Sequence, residues 1–478
     1  MRSTVAAVSG EPTADRHAPT PGDRAFWIAL GGVAMAGLAV RVVAVLTWSR
    51  HFDPAGDQRF YWWSGQDLAD GFGFVYRNNL DQRVTTAIHP PLYSMYLGVA
   101  SALGFDSHAW HRLFSTLLGA ACVVVVGLAA RRWAGRRAGI FAAACAAVYP
   151  NLWLNDVALA AETMYALMIA LVLLAAIRLW DRRRMLDVVV LSVAIALATL
   201  SRAEGLVLFV VLLVPLVLWC KDQPWARRIA MVAVAAVVGL VVMGPWLGRN
   251  LTSFTNPVLV SSGGGFVIEI ANCDQTYGLD APRDASGAVR PGTDNSTFLG
   301  YWTIDCDRSD RNARGDAAVP WPEGDESVVE ASKRKIGTEY ALEHLDRVPV
   351  VVAARLGRMW DLWRPEQSYD FNRFYERRGD NSTKAAMAMY YALLPLGLAG
   401  AVILRRRGRP ISPFVAIAAA TSFAAAISFG ITRYRVGADV ALCVLAGVTL
   451  SVLSQKVIRA RGPASSAETV VIGEDADE

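Results

Sequence analysis

Leu92-Tyr93-Ser94-Met95-Tyr96-Leu97-Gly98-Val99-Ala100-Ser101-Ala102-Leu103 is the stretch whose placement settles the topology of the chain. It is apolar, but its 12 residues make roughly 18 Å of helix, against the ~30 Å of a bilayer's hydrocarbon core. Counted as a crossing, it puts Arg131, Arg132, Arg136 and Arg137 outside and reverses every basic loop that follows. Laid on the membrane surface, it is an interfacial helix opened by Pro90 and Pro91, where a missing N–H costs little. We adopt the second placement, which makes residues 49–111 one large outer loop.

Composition supports a membrane chain: 54% of residues are hydrophobic and 19% charged, with a mean hydropathy of +0.32. Apolar runs recur that are too long for the core helices of a soluble domain. Spans are expected at residues 26–48, 113–130, 138–154, 157–179, 185–200, 205–220, 229–247, 385–404, 411–431 and 436–453. Counted this way, the Arg131–Arg137 cluster falls on the same side as Arg182/Arg183/Arg184, Lys221/Arg227/Arg228, Arg405/Arg406/Arg407/Arg409 and Lys456/Arg459/Arg461. Cytoplasmic loops carry that positive excess, so both termini are expected in the cytoplasm.

The expected fold class is therefore an all-α polytopic membrane protein of about 10 transmembrane helices, with interfacial helices in the first outer loop and a small extracytoplasmic domain. Residues 1–25 read as a disordered cytoplasmic tail without the apolar core of a cleaved signal peptide. Residues 26–247 make an N-terminal transmembrane module, 248–384 an extracytoplasmic domain, 385–454 the C-terminal helices and 455–478 a second cytoplasmic tail. The basic residues favour Arg over Lys, a bias that fits a GC-rich bacterial genome and a bacterial plasma membrane. The net charge of +5 decides little, because the position of the charges matters more than their sum.

The second outer region is rich in Gly and Asp, with Trp302, Trp321, Trp360 and Trp363 scattered through it, and reads as a folded lid rather than a linker. Within it, residues 348–363 mix Val351, Val352, Leu356, Met359 and Trp360 with Arg355 and Arg358, a pattern suited to a helix on the membrane surface. Cys273 and Cys306 fall in the same region, whereas Cys122, Cys145, Cys220 and Cys443 fall in spans or at their ends. On an oxidising face the first two are expected to form a disulfide, the alternative being two free thiols.

Charged groups near the membrane are the candidates for function. Arg41 lies in the outer part of the first span and either faces a polar interior or reaches to the headgroups. Glu162 begins a span after Asn155 and Asp156; it either serves a site or complements the helix dipole. The outer turns carry Arg202 with Glu204, Arg249 with Asn250, and Arg433 with Arg435, against the positive-inside trend. Guanidinium groups there suit a phosphate, through charge-assisted and often bidentate hydrogen bonds. Pairing within the turns or contact with anionic lipid is the alternative for each.

Asp57, in Gly56-Asp57-Gln58 just beyond the first span, is the candidate general base, an acid placed to take a proton from a hydroxyl. Asp53, Asp67 and Asp70 read as solvated loop acids or helix caps. His89 is suited to orient a substrate, bind a phosphate oxygen or ligate a metal, or else simply stabilises a turn before Pro90 and Pro91. No HExxH, paired CxxC, P-loop or helix-opening GxGxxG is present, and Gly263-Gly264-Gly265 lacks the strand and helix context of a nucleotide loop. Nucleic acid is not an expected partner.

Taken in order, several motifs resemble those of the GT-C membrane glycosyltransferases, in particular the superfamily of protein O-mannosyltransferases and lipid A aminoarabinose transferases (glycosyltransferase family 39-like). They are Gly56-Asp57 with Tyr61, His89-Pro90-Pro91-Leu92-Tyr93, Glu162, Ser201-Arg202-Ala203-Glu204-Gly205-Leu206, Pro245-Trp246-Leu247-Gly248-Arg249-Asn250 and Arg433-Tyr434-Arg435. The resemblance implies a GT-C fold and a polyprenyl-phosphate-linked sugar as donor, transferred with inversion to an acceptor lipid, glycan or protein at the outer face. It makes Asp57 the base and assigns the leaving phosphate to Arg433 or Arg435 with Arg202 and Arg249. Arg41, Tyr61, His89, Glu162, Glu204 and Asn250 complete the expected substrate site, with a divalent metal ion left open. Two departures are visible. Gln58 stands where the eukaryotic mannosyltransferases carry a second acid, and Val436-Gly437-Ala438 replaces the family's proline after Arg-Tyr-Arg. The competing reading is a transporter or flippase for a glycolipid or envelope precursor, which would favour broken spans and an internal repeat.

Overall fold

The computed structural model describes residues 21–77, 82–284, 286–308, 320 and 322–461. Most of both expected tails lies outside these, as does Trp321. The chain is an all-α polytopic membrane protein. Among the described residues six helices are long and apolar enough to cross a bilayer. They are α1 (Pro21–Thr47), α4 (His108–Ala134), α7 (Glu162–Arg182), α10 (Trp225–Ser253), α15 (Asp380–Arg406) and α17 (Val436–Arg461).

The remaining expected spans are shorter: α5 (Arg136–Val148), α8 (Met185–Ser201), α9 (Ala203–Leu218) and α16 (Ser412–Ile427). The 138–154 segment is not one helix. Pro150 cannot donate to Ala146, and the residue before a proline is pushed to an extended conformation, so α5 stops and Tyr149 takes φ −67°, ψ 112°. Pro150 then opens a separate short helix, α6 (Pro150–Val157), and the next span begins only at Glu162.

The centre of the bundle is α17, with 83% of its apolar window buried against 22% for α1, which shows Ile28, Met35 and Val43 on its outer surface. Apolar side chains facing outward are what a lipid solvent requires. Close packing comes from small residues: a Cβ on Gly447 would meet Ala142 Cβ and the Ala138 carbonyl at 2.6–2.7 Å, so α17 and α5 touch nearly backbone to backbone.

The loop between α1 and α4 holds α2 (Asp57–Ala69) against α3 (Leu92–Ala102), the helix expected at the surface. Between them β1 (Val75–Arg77) and β2 (Arg83–Thr85) pair antiparallel, Tyr76 opposite Val84. Asp67 is not a solvated acid, as expected, but fully buried. It bonds Arg77 at 2.7 and 3.0 Å and Arg83 at 2.8 Å, tying the hairpin to α2. The long region between α10 and α15 packs α11 (Gly264–Ile270) on α12 (Glu326–Glu343), whose N-cap Asp325 accepts from Ser327 N–H at 2.8 Å. There Cys273 and Cys306 are bonded, their Cα atoms 5.9 Å apart, within the usual disulfide range. The expected surface helix is α13 (Val348–Met359), which packs on α16. A short α14 (Pro365–Asp370) and a π turn lead from it to α15.

Candidate active site

Gly56 turns the chain with φ +53°, a conformation that costs glycine little, and Asp57 follows in the first turn of α2. Its carboxylate faces Arg433, with Arg433 Nη2 2.7 Å from Asp57 Oδ2. On its other side His89 Nε2 lies 3.5 Å from Oδ1. The imidazole is held between two rings, with centroids 4.8 Å from Phe60 and 5.1 Å from Tyr61. Tyr61 is itself buried against Tyr93, so α2 and the turn into α3 fix His89 together.

Arg433 is shared. Besides Asp57 it bonds both oxygens of Glu162, and its Nη1 lies 3.7 Å from Glu376. Glu162, with no exposed side-chain surface, also accepts from Arg202, which in turn pairs with Glu204 and lies 5.2 Å over the Tyr434 ring. Two guanidiniums and four carboxylates therefore form one continuous network from α2 to α9. Glu162 joins this network and opens α7 at once, so its pairing and its place at the helix N-terminus are compatible.

Asp57 is 39% exposed at the rim of this network. Desolvation favours its neutral form, but Arg433 and then His89 outweigh that and hold the carboxyl well below the usual carboxylate range.

The other expected site residues lie elsewhere. Arg249 donates to Thr86 O at 2.9 Å and Phe74 O at 3.0 Å and so braces the segment that leads to His89, while Asn250 holds Leu259 O at 2.8 Å in the stretch after α10. Arg435 is fully buried, bonded to Asp361 at 2.9 Å and Asp439 at 3.2 Å, with its guanidinium 3.5 Å from the Tyr390 ring centroid. Arg41 faces the interior, paired with Asp156 at 2.5 Å and donating to Gly37 O and Ala147 O. Only glycine fits at position 119, because a Cβ there would collide with that ion pair.

Glu376 and Arg378 were not among the expected residues. They sit in the turn before α15, in a charged stretch whose spacing carries no helical or strand period to mark it. Among the described residues no group of three or more His, Cys, Asp and Glu side chains could hold a metal.

Comparison places part of this chain in a known setting. Residues 88–248 match the family model of dolichyl-phosphate-mannose-protein mannosyltransferase, a GT-C family of the kind the sequence resembles. The matched stretch takes in His89, Glu162, Arg202 and Glu204, and leaves Asp57 and Arg433 outside. No match is found among curated proteins. Among solved structures, the apo oligosaccharyltransferase of Archaeoglobus fulgidus is similar over 91% of this chain and 51% of its own, at 15% identity and a TM-score of 0.49. The oligosaccharyltransferase AglB from that organism, in complex with an inhibitory peptide and a dolichol-phosphate, is similar over 92% and 52%, at 14% identity and a TM-score of 0.48. ArnT from Cupriavidus metallidurans bound to undecaprenyl phosphate is similar over 91% and 80%, at 18% identity and a TM-score of 0.41. The chain thus spans about half the length of the archaeal proteins.

Proposed function

We propose that the chain is an integral-membrane glycosyltransferase that moves a sugar from a polyprenyl-phosphate donor to an acceptor hydroxyl at the extracytoplasmic face. The observation that carries this reading is the convergence of Asp57, Arg433, Glu162 and Arg202 from four separate parts of the chain. A general base and a pair of fixed guanidiniums are what a single displacement at a sugar carbon needs.

In that reaction the acceptor oxygen attacks the anomeric carbon as its proton passes to Asp57. The bond from that carbon to the phosphate oxygen breaks, and the electron pair leaves with the polyprenyl phosphate. Attack opposite the leaving group inverts the anomeric centre. Arg433 and Arg202, held rigidly by the buried Glu162, oppose the charge that grows on the phosphate. Arg433 also links the two halves of the reaction. While it clamps Asp57 the carboxylate is a weak base, so a donor phosphate that draws the guanidinium toward itself raises the proton affinity of Asp57. The base then becomes effective when the donor is in place.

The proposed orientation has both termini in the cytoplasm, with the donor's tail among the helices. The test is reconstitution in liposomes with a panel of polyprenyl-phosphate donors carrying a labelled sugar. Label that becomes covalently attached to an acceptor, with free polyprenyl phosphate released, supports the reading. Intact labelled lipid crossing the bilayer without cleavage would replace it with the flippase reading.

A further inference from the structure

Residues 86–88 carry the chain from β2 to His89 with no helix or strand of their own, so the hydrogen bonds that fix them must come from elsewhere. Pro90 and Pro91 follow, and neither offers an N–H with which to tie His89 down from that side. All six backbone polar groups of the segment are nonetheless matched. Thr86 N–H donates to Phe74 O and Ile88 N–H to the Thr86 hydroxyl, both at 3.1 Å. The other four partners come from beyond α9. Arg249 donates to Thr86 O at 2.9 Å, Ser262 N–H to Ala87 O at 2.9 Å and the Ser261 hydroxyl to Ile88 O at 2.6 Å, while Ala87 N–H donates to Glu326 Oε1 at 2.9 Å.

Glu326 makes more of these contacts than any other side chain. Its Oε2 accepts from the Thr86 hydroxyl at 2.5 Å, and its Oε1 also takes the hydroxyl of Ser262. Donating to Glu326, the Thr86 hydroxyl turns a lone pair to Ile88 N–H, so one carboxylate sets two successive links of the segment. Thr86, Ala87 and Ser262 are buried, and hydrogen bonds to an ionised acceptor are the strong ones. The fit around them is close: a Cβ on Gly263 would lie 2.9 Å from Ile88 O. A glutamate in the first turn of a helix ordinarily needs no more explanation than the helix dipole. Here Asp325 does the capping, and Glu326 reaches across 240 residues of sequence to Thr86 instead.

We propose that Glu326 is a positioning residue: from α12 it clamps residues 86–88 and so holds the His89 imidazole against Asp57, 3.5 Å from its Oδ1. The assignment rests on the transferase reading for the reaction it serves. Through this clamp the long region between α10 and α15 takes part in building the site, although none of its residues before Glu376 meets Asp57 or Arg433 in an ion pair among the described residues.

The experiment uses the full-length protein in nanodiscs and has two readouts. Hydrogen exchange of residues 86–89, which needs no substrate, is expected to speed up about tenfold or more in Glu326→Ala while α2 keeps its wild-type rate. Transfer of a labelled sugar from a polyprenyl-phosphate donor is expected to fall about 10–100-fold, the effect of a misplaced group at a reaction centre, with thermal stability retained. Glu326→Gln keeps an acceptor for Ala87 N–H and should recover most of both losses. In a His89→Ala background the Glu326→Ala change should lower transfer less than about twofold, because residues that act through one another do not add. Equal losses in the two backgrounds, a Glu326→Gln no better than Glu326→Ala, or His89→Ala at the wild-type rate overturns the assignment. Unchanged exchange at residues 86–89 also overturns it, and intact transfer in that case keeps the transferase reading. Faster exchange in a protein that consumes no donor keeps the clamp on His89 and removes that reading. Should Glu326→Ala fail to fold, Thr86→Val and Ser262→Ala, each deleting one of its bonds, take its place in both readouts.

Discussion

Arg433 is the residue on which the chemistry turns, because it holds the proposed base and the buried Glu162 at the same time. Its effect on Asp57 has a definite sign. A carboxyl whose folded-state pKa is depressed stabilises the fold above its unfolded value, about 3.9. That contribution is lost only as the pH falls through the lower, folded value. The acid limb of kcat/KM, which reports the free enzyme, should therefore lie below the ordinary carboxylate range in wild type, whereas that of kcat reports Asp57 after the donor has drawn Arg433 away. In Arg433→Gln the clamp is gone, and the acid limb of the residual kcat/KM should rise toward pH ~4. A pH–rate profile of the variant checks this; an acid limb that stays at the wild-type position would show that Arg433 does not tune Asp57. Asp57 and His89 were legible in the sequence because an acid and a histidine stand out in a loop between spans. The partners of Arg249 and Arg435 were not, since an arginine in a turn looks the same whether it meets a phosphate or a row of backbone carbonyls.

At the scale of the element, α2 and α3 decide where Asp57 stands. They approach so closely at Gly65 that a Cβ there would lie 2.8 Å from the His111 ring and 3.0 Å from Leu97 Cβ. Gly65→Ala must push the two helices apart and shift the helix that begins with Asp57. The expected result is a loss of about 1–3 kcal/mol in stability, with the transfer rate falling further than stability alone explains. Thermal unfolding and turnover measured on the same preparation test it, and an unaltered rate would show that α2 does not set the base. Length argues against α3 as a span, since its 11 residues fall short of one. The break at Tyr149 was equally available in Pro150, yet a run of apolar residues on both sides hid it. Hydropathy averages over the one missing N–H that stops the helix.

Over the whole molecule, the helical class and the order of the spans follow from long apolar runs and basic loops, signals carried by many residues at once. The network does not, because its members are brought together by packing of α17 against α7 and of α2 against α3 rather than by spacing. Orientation is the property on which the outer site depends. Cysteine introduced at exposed Asp294 should react with a membrane-impermeant maleimide in intact cells, whereas cysteine at exposed Arg407 should react only after permeabilisation. The reverse pattern would turn the site toward the cytoplasm. The most direct measurement is the rate at which wild type and Asp57→Asn transfer a labelled sugar from a polyprenyl-phosphate donor, with donor binding and thermal stability checked alongside. A fall of about 10²–10⁴-fold with both controls retained is expected of a lost general base. Transfer by the Asn variant at the wild-type rate would contradict the account.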